Sequence, residues 1–315
     1  MVGRSAAGVQ TTLRSKVTIR GIGLHTGQPA RVTIHPSPAE FGIWFRRTDV
    51  RGRDNLIAAR YDCVTDSELC TALGNDDGVQ VMTVEHLMAA LYGTGVHNAL
   101  IEIDGPEVPI LDGSAAPFVR AILERGLVPL DAPVRVLRIL EPVSVRNGAA
   151  EAALVPAETL EIDFAISFPD PAIGDQHSHL VLANGSFVHE LSDCRTFCRW
   201  ADVEAMRARG LGRGGSLDNA VVVDGDRVLN PGGLRREREM VRHKMLDALG
   251  DLALAGAPII GRYVGRRAGH ALTNRLLRKL FATPGAFRMD EASPEEAAQL
   301  PGAGVGPADL EALAG

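Results

Sequence analysis

Twice along this 315-residue chain, a block of strand-like segments gives way to helices. The first block holds "KVTIRGIGL", "ARVTIHP" and "GIWFRR", punctuated by glycines and by Pro36 and Pro38. Near residue 83 the period changes. "TVEHLMAALYG" sets Val84, Leu87 and Leu91 at helical spacing, with Thr83 as the expected N-cap and Gly93 as the expected stop. A strand "NALIEID", a loop "GPEVPILDGSAAP" and a helix from about Ala116 to Glu124 complete a mixed unit, residues 1–131. The second unit, 132–285, repeats the order. It opens with two strands around the Asn147–Gly148 hairpin signal. "LEIDFAISF" alternates strictly, with Leu160, Ile162, Phe164, Ile166 and Phe168 on one face. A second hairpin turns at Asp224–Gly225, and two helices follow, "VRHKMLDALGDL" and "ALTNRLLRKLF". Residues 286–315, rich in Pro, Ala, Gly and Glu, form a tail expected to pack weakly or not at all. This order predicts an α+β fold. There is no run of alternating strands and helices and no dinucleotide glycine fingerprint.

Hydrophobic residues make up 45% of the chain, enough for substantial cores, and the net charge is −6. General nucleic-acid binding is excluded, because no basic excess is available to neutralise phosphates. No apolar run approaches a transmembrane length, and the first 21 residues lack the apolar centre of a signal peptide. A soluble, cytoplasmic protein is expected. Cys63, Cys70, Cys194 and Cys198 show no C-x-x-C spacing and read as thiols in a reducing compartment.

The helix "VRHKMLDALGDL" carries the strongest chemical signal. His243, Asp247 and Asp251 follow one another at four-residue intervals and share one stripe. Val241, Met245, Ala248 and Leu252 form an opposite, core-seeking stripe. A solvated polar face is the bland reading. The expected water-facing residues, Glu237, Arg238, Glu239 and Arg242, instead flank the line. His243 and Asp247 at i and i+4 can reach one metal ion from a single helix face. His86, preceded by Glu85 in a helix's first turn, is the best third ligand. Two histidines and an aspartate leave a coordination position open, as in catalytic zinc sites, where bound water has a pKa of roughly 7. The same donors suit iron(II). Only three basic residues are lysines, and one of them, Lys244, stands beside His243, which hints at a need for a compact point charge. His270 opens the last helix.

"GIGLHTG", "TVEHLMAALYG", "PEVPILDGSAAPF", "RTF", "GGSLDNAVVVD", "VLNPGGLRREREMVRHKMLDALGDLALAG" and "GHALTN" together resemble the UDP-3-O-acyl-N-acetylglucosamine deacetylases, zinc amidases of lipid A synthesis, from about Thr12 to Phe281. The resemblance implies two packed α+β sandwich domains, each with a small insertion, and an active site between them. It implies His86, His243 and Asp247 as zinc ligands, Glu85 as general base and His270 as the acid for the leaving amine. Asp251 would orient His270, and Thr196 would steady the oxyanion. Lys244 would meet the substrate's phosphates, and Phe168 would stack on uracil. The second insertion, about residues 192–216, would form the acyl passage, with Phe197, Trp200 and Gly215 toward the substrate. Val203, Met206 and Leu211 are further lining candidates. Arg199 and Trp200 stand where more uniformly apolar residues are expected, as a possible closed mouth and a shortened tunnel. UDP-3-O-acyl-N-acetylglucosamine is the implied partner, and nothing demands more than a monomer. Two rival readings are a zinc deacetylase of another nucleotide sugar and an inactive sugar-nucleotide sensor on the same fold.

Overall fold

A computed structural model describes residues 8–66 and 69–313. Seven α-helices lie among the described residues. They are α1 (Glu85–Thr94), α2 (Ala116–Arg125), α3 (Ser186–Glu190), α4 (Trp200–Ala208), α5 (Glu239–Leu252), α6 (His270–Ala282) and α7 (Pro294–Ala297). Among the described residues no helix is long and apolar enough to cross a membrane.

The strands form a two-domain α+β arrangement whose halves share one topology. In the first, the sheet order is Val17–Ile22, Pro29–Pro36, Ala99–Ile103, Ile43–Arg47, Leu56–Ala58. In the second, Val143–Asn147, Ala150–Val155, Ile259–Arg266, Leu160–Ser167 and Asp175–Val181 stand in the corresponding places. Each sheet is antiparallel except for one parallel pair among these five strands, Ile43–Arg47 with Ala99–Ile103 and Leu160–Ser167 with Ile259–Arg266. That pair flanks α1 in the first half and α5 in the second, so each five-stranded set is crossed by one β-α-β connection. Each half also carries a small insertion at the corresponding place, with different strand directions. A three-stranded sheet of Val64–Thr65, Ala72–Gly74 and Gln80–Met82 precedes α1, and another of Phe197–Arg199, Val221–Asp224 and Arg227–Val228, with α4, precedes α5. The sequence shows no such repeat. Side-chain identities have diverged, while the strand order has not.

Local patterns explain the elements. Leu160–Ser167 alternates buried and half-buried residues, as its apolar period dictates. The Asn147–Gly148 turn closes its hairpin, with Asn147 paired to Ala150. α1 and α5 lie between the two sheets' cores. Every residue of α1 except Tyr92 is buried, and the Tyr92 hydroxyl accepts the Ile259 amide of the second half at 2.7 Å. One continuous apolar cluster runs from Leu13 to Ala286 through both halves, with Phe45, Phe118, Phe164 and Tyr263 among its largest members.

Three expectations are corrected. Thr83 does not cap α1. It sits at φ 57 with its hydroxyl donated to Glu107 Oε1 at 2.9 Å, and the cap position falls to Val84. Gly93 does not stop α1, which runs to Thr94 and closes on Gly95; a Cβ on Gly93 would lie 2.0 Å from the Phe187 ring. The tail is packed. Phe287–Glu291 joins the second sheet antiparallel to Arg135–Ile139, α7 begins with a Ser293–Glu296 capping box, and His189 Nε2 meets Asp309 Oδ1 at 2.8 Å. The composition of the tail hid a five-residue strand whose partner lies far back in the chain.

The two central helices touch backbone to backbone. A Cβ on Gly250 of α5 would lie 2.0 Å from the carbonyl oxygen of Glu85, the first residue of α1. A main-chain atom cannot swing aside, so any side chain here forces the helices apart. Overpacking of this kind costs about 1–3 kcal/mol. Gly250→Ala should therefore lower the midpoint of thermal unfolding by several degrees in a calorimetric scan. An unchanged midpoint would show that the helices part without penalty.

Candidate active site

The polar stripe of α5 is not solvated. His243, Asp247 and Asp251 are all buried, as are Val241, Met245, Ala248 and Leu252 on the opposite side. The stripe faces the first turns of α1 and α6, which deliver Glu85, His86 and His270.

Asp247 Oδ1 lies 3.2 Å from His243 Nε2 and 3.4 Å from His86 Nε2, and the two imidazoles meet edge to face with centroids 5.0 Å apart. One ligand atom from each of the three residues lies within 4.8 Å of the others. Bonds of about 2.0–2.1 Å at tetrahedral angles give ligand separations of roughly 3.3 Å, so the donor set fits a small cation. Two further observations agree with that fit. Asp247 Oδ1 is buried without a hydrogen-bond partner. His243 Nδ1 lies 3.0 Å from the Cys194 carbonyl, to which it donates in the tautomer that leaves a lone pair on Nε2. Burial opposes the Asp247 charge, but His243 and Lys244 outweigh it and hold the carboxyl well below its ordinary range. Lys244 Nζ reaches Asp247 Oδ2 at 2.7 Å, an engagement the sequence did not suggest.

The titratable groups beside this triad are held apart in character. Glu85 Oε2 accepts the Thr71 amide at 3.0 Å, and Oε1 lies 3.7 Å from His270 Nε2. Burial raises the Glu85 carboxyl to about 7 against the pull of His270. His270 Nδ1 contacts Asp251 Oδ2 at 2.9 Å. Burial disfavours the His270 cation, yet Asp251 and Glu85 prevail and raise it to about 9. A proton acceptor and a proton donor thus stand 3.7 Å apart beside the triad.

The triad opens into a cavity of about 850 Å³ that Phe168, Thr196, Phe197, Trp200, Gly215 and Lys244 help to line. Val203 and Met206 of α4 line it as well; Leu211 is not among the lining residues. Phe168 and Phe197 pack edge to face at 5.4 Å, and Phe197 approaches His243 at 6.5 Å. Thr196 is held by its amide to the Gly113 carbonyl and by its carbonyl to the Val221 amide, both at 2.8 Å. Trp200 stands at the rim, 54% exposed. Arg199 lines the cavity and is bound to Asp170 and Asp202. Cys70 lines the same space.

Residues 10–282 match the family of UDP-3-O-acyl N-acetylglycosamine deacetylases. The chain belongs to this family. It is similar to curated members named UDP-3-O-acyl-N-acetylglucosamine deacetylase. That of Phenylobacterium zucineum is 52% identical over 89% of this chain and 96% of its own length. That of Anaeromyxobacter dehalogenans is 46% identical over 89% and 90%, and that of Myxococcus xanthus 45% identical over 94% and 93%.

In this member of the deacetylase family, several buried polar groups around the site escaped sequence reasoning. Thr71 bridges Glu85 and Asp251. Glu107 gathers the His25 and Thr26 amides and the Thr26 and Thr83 hydroxyls, which fastens the "GIGLHTG" turn to the approach of α1. His25 lines the cavity with neither ring nitrogen hydrogen-bonded, and burial lowers its pKa. Glu239, expected to face water, is fully buried. It receives the Arg195 guanidinium at 2.9 and 3.1 Å together with the Arg195 and Arg235 amides. Nothing in a one-dimensional pattern marks such residues, because their partners are distant in sequence.

The Arg195–Glu239 pair locks the segment that carries Cys194 and Thr196 onto the first turn of α5. Removing one partner strands the other's charge in the interior, at a cost of about 3–5 kcal/mol. Arg195→Met should reduce stability by that order in urea titration, with a smaller loss in Arg195→Met/Glu239→Gln. A change of less than about 1 kcal/mol in the single variant would show that the pair does not bind these segments together.

Proposed function

We propose that this protein hydrolyses the N-acetyl group of UDP-3-O-acyl-N-acetylglucosamine, releasing acetate and UDP-3-O-acyl-glucosamine, as the committed step of lipid A synthesis. One observation carries the reading. A three-donor cation seat lies beside a buried carboxylate and a buried imidazole that approach each other to 3.7 Å, in a cavity that also runs along α4. The names of the curated relatives point to the same substrate.

His86, His243 and Asp247 would hold the ion, zinc in this reading, with iron(II) also suited to the donors. When bound, such an ion supplies Lewis acidity that polarises a carbonyl and makes water more acidic. Glu85 takes the proton of the attacking water. His270, kept cationic by Asp251, returns a proton to the departing amine, so the amine leaves neutral and acetate forms. The Thr196 hydroxyl donates to the oxygen that gains charge. Lys244 offers its cation to the substrate's phosphates while tempering Asp247. Phe168 offers a face to uracil, and Phe197, Trp200 and Gly215 border the acyl chain. The reading assigns work in the cytoplasm as a monomer, with no nucleic-acid partner, and divides the chain at residues 131 and 132.

His243→Ala should remove the stoichiometric metal and the deacetylase activity together, by elemental analysis and an acetate-release assay. A variant with full metal and full turnover would sink the ligand assignment. The acid assignment makes a separate claim about pH. Because His270 keeps its proton up to about 9, kcat/KM should fall as pH rises through that value. His270→Gln should lower the plateau and flatten this limb; an unaltered profile would remove His270 from the role.

Trp200 makes the acyl passage testable. Each buried CH₂ contributes about 0.8 kcal/mol, so two methylenes shift selectivity roughly tenfold. In a substrate series of increasing acyl length, Trp200→Ala should move the preferred length. If neither protein distinguishes a long acyl chain from none, the passage is not lipid-binding.

A further inference from the structure

Thr71 is buried, at 3% exposure, and does not line the cavity. All three of its polar groups are nonetheless committed to the site's walls. Its amide donates to Glu85 Oε2 at 3.0 Å, its hydroxyl to Asp251 Oδ1 at 2.6 Å, and its carbonyl accepts the Val84 amide at 3.3 Å. Asp251 then uses its other oxygen, Oδ2, on His270 Nδ1. One residue therefore reaches the Glu85 carboxylate directly and the His270 imidazole through Asp251.

We propose that Thr71 is a positioning residue that sets Glu85 and His270 relative to each other. This rests on the reading of those two as base and acid. Two buried carboxylates near one another repel and would drift apart or recruit stray protons. A neutral residue that donates to both holds them without adding charge. The hydroxyl-to-carboxylate distance is in the range of a charge-assisted bond, among the stronger ones available to a side chain. The β-methyl matters as well, because a β-branched residue is stiff at χ1 and keeps the hydroxyl aimed. Serine would keep the donor and lose the aim; valine would keep the shape and lose the donor. The segment that carries Thr71 belongs to the first half's insertion, whereas Asp251 belongs to the second half's central helix. The bond thus spans the two halves at the point where proton transfer must be aligned.

The test uses the full-length, metal-loaded enzyme and UDP-3-O-acyl-N-acetylglucosamine. Thr71→Val should lower kcat about tenfold or more, with KM and metal content unchanged, because losing a hydrogen bond to a buried charge is expected to act at the chemical step. Thr71→Ser, which keeps the donor, should recover part of that loss. In an Asp251→Asn background, adding Thr71→Val should cost less than about twofold further, since the hydroxyl acts through Asp251. Should Thr71→Val fail to fold, Thr71→Ala in the same two backgrounds carries the test. Wild-type kcat in the valine variant, a change confined to KM or metal content, or independent effects in the double variant would each overturn the proposal. Glu85→Gln and His270→Gln separate the two layers. If both abolish turnover while Thr71→Val does not, only the role of Thr71 is lost. If either keeps wild-type turnover, the base and acid assignment falls and the proposal falls with it.

Discussion

The backbone contact between Gly250 and Glu85 is the constraint on which the rest of the site depends. It brings α1 and α5, equivalent helices of two like-folded halves, as close as two main chains can come. At that distance the first turn of α1 overlies the polar stripe of α5. His86 then reaches Asp247, and Glu85 reaches the neighbourhood of His270. Neither half supplies the arrangement alone. Because the groups ride on helices packed in a shared core, their separations are set by element geometry and not by loop conformation.

Such a crossing concentrates charge where charge is expensive. Glu85, Asp247 and Asp251 are buried within one small region, with Lys244 and His270 as the cations that face them. A core built only for stability would replace these groups with apolar ones, since buried ion pairs seldom repay their desolvation. Their retention marks a place where local folding rules yield to chemistry. The surroundings then absorb the strain. Thr83 adopts a left-handed backbone under the hold of Glu107, and Arg238 does likewise just before Glu239 enters α5.

What could be read from the sequence was whatever depends on near neighbours. The striped helix, the alternation of Leu160–Ser167 and the two hairpin turns are local periodicities, and each stands where its pattern placed it. What depends on distant partners was misread. Thr83 resembles a cap until Glu107 claims its hydroxyl, and Glu239 resembles a surface residue until Arg195 closes over it. Gly93 resembles a stop until Phe187 is seen to rest on it. The shared strand order of the two halves was invisible for the same reason, since hydrogen-bond partnership between strands leaves no mark on either strand.

The strand Phe287–Glu291 carries a consequence for how the molecule comes into being. It lies against Arg135–Ile139, about 150 residues earlier, and completes the second sheet from that side. The first half closes much sooner, when Leu127–Pro133 returns to Val9–Leu13. During vectorial synthesis the first half can therefore assemble while the second is still being made, as domains tend to do. That side of the second sheet must wait for residues 287–291 to emerge, and such long-range pairing is slow. Until then one side of Arg135–Ile139 lacks its partner strand. Until residues 287–291 are made, that unpaired strand edge leaves the nascent chain open to misassociation.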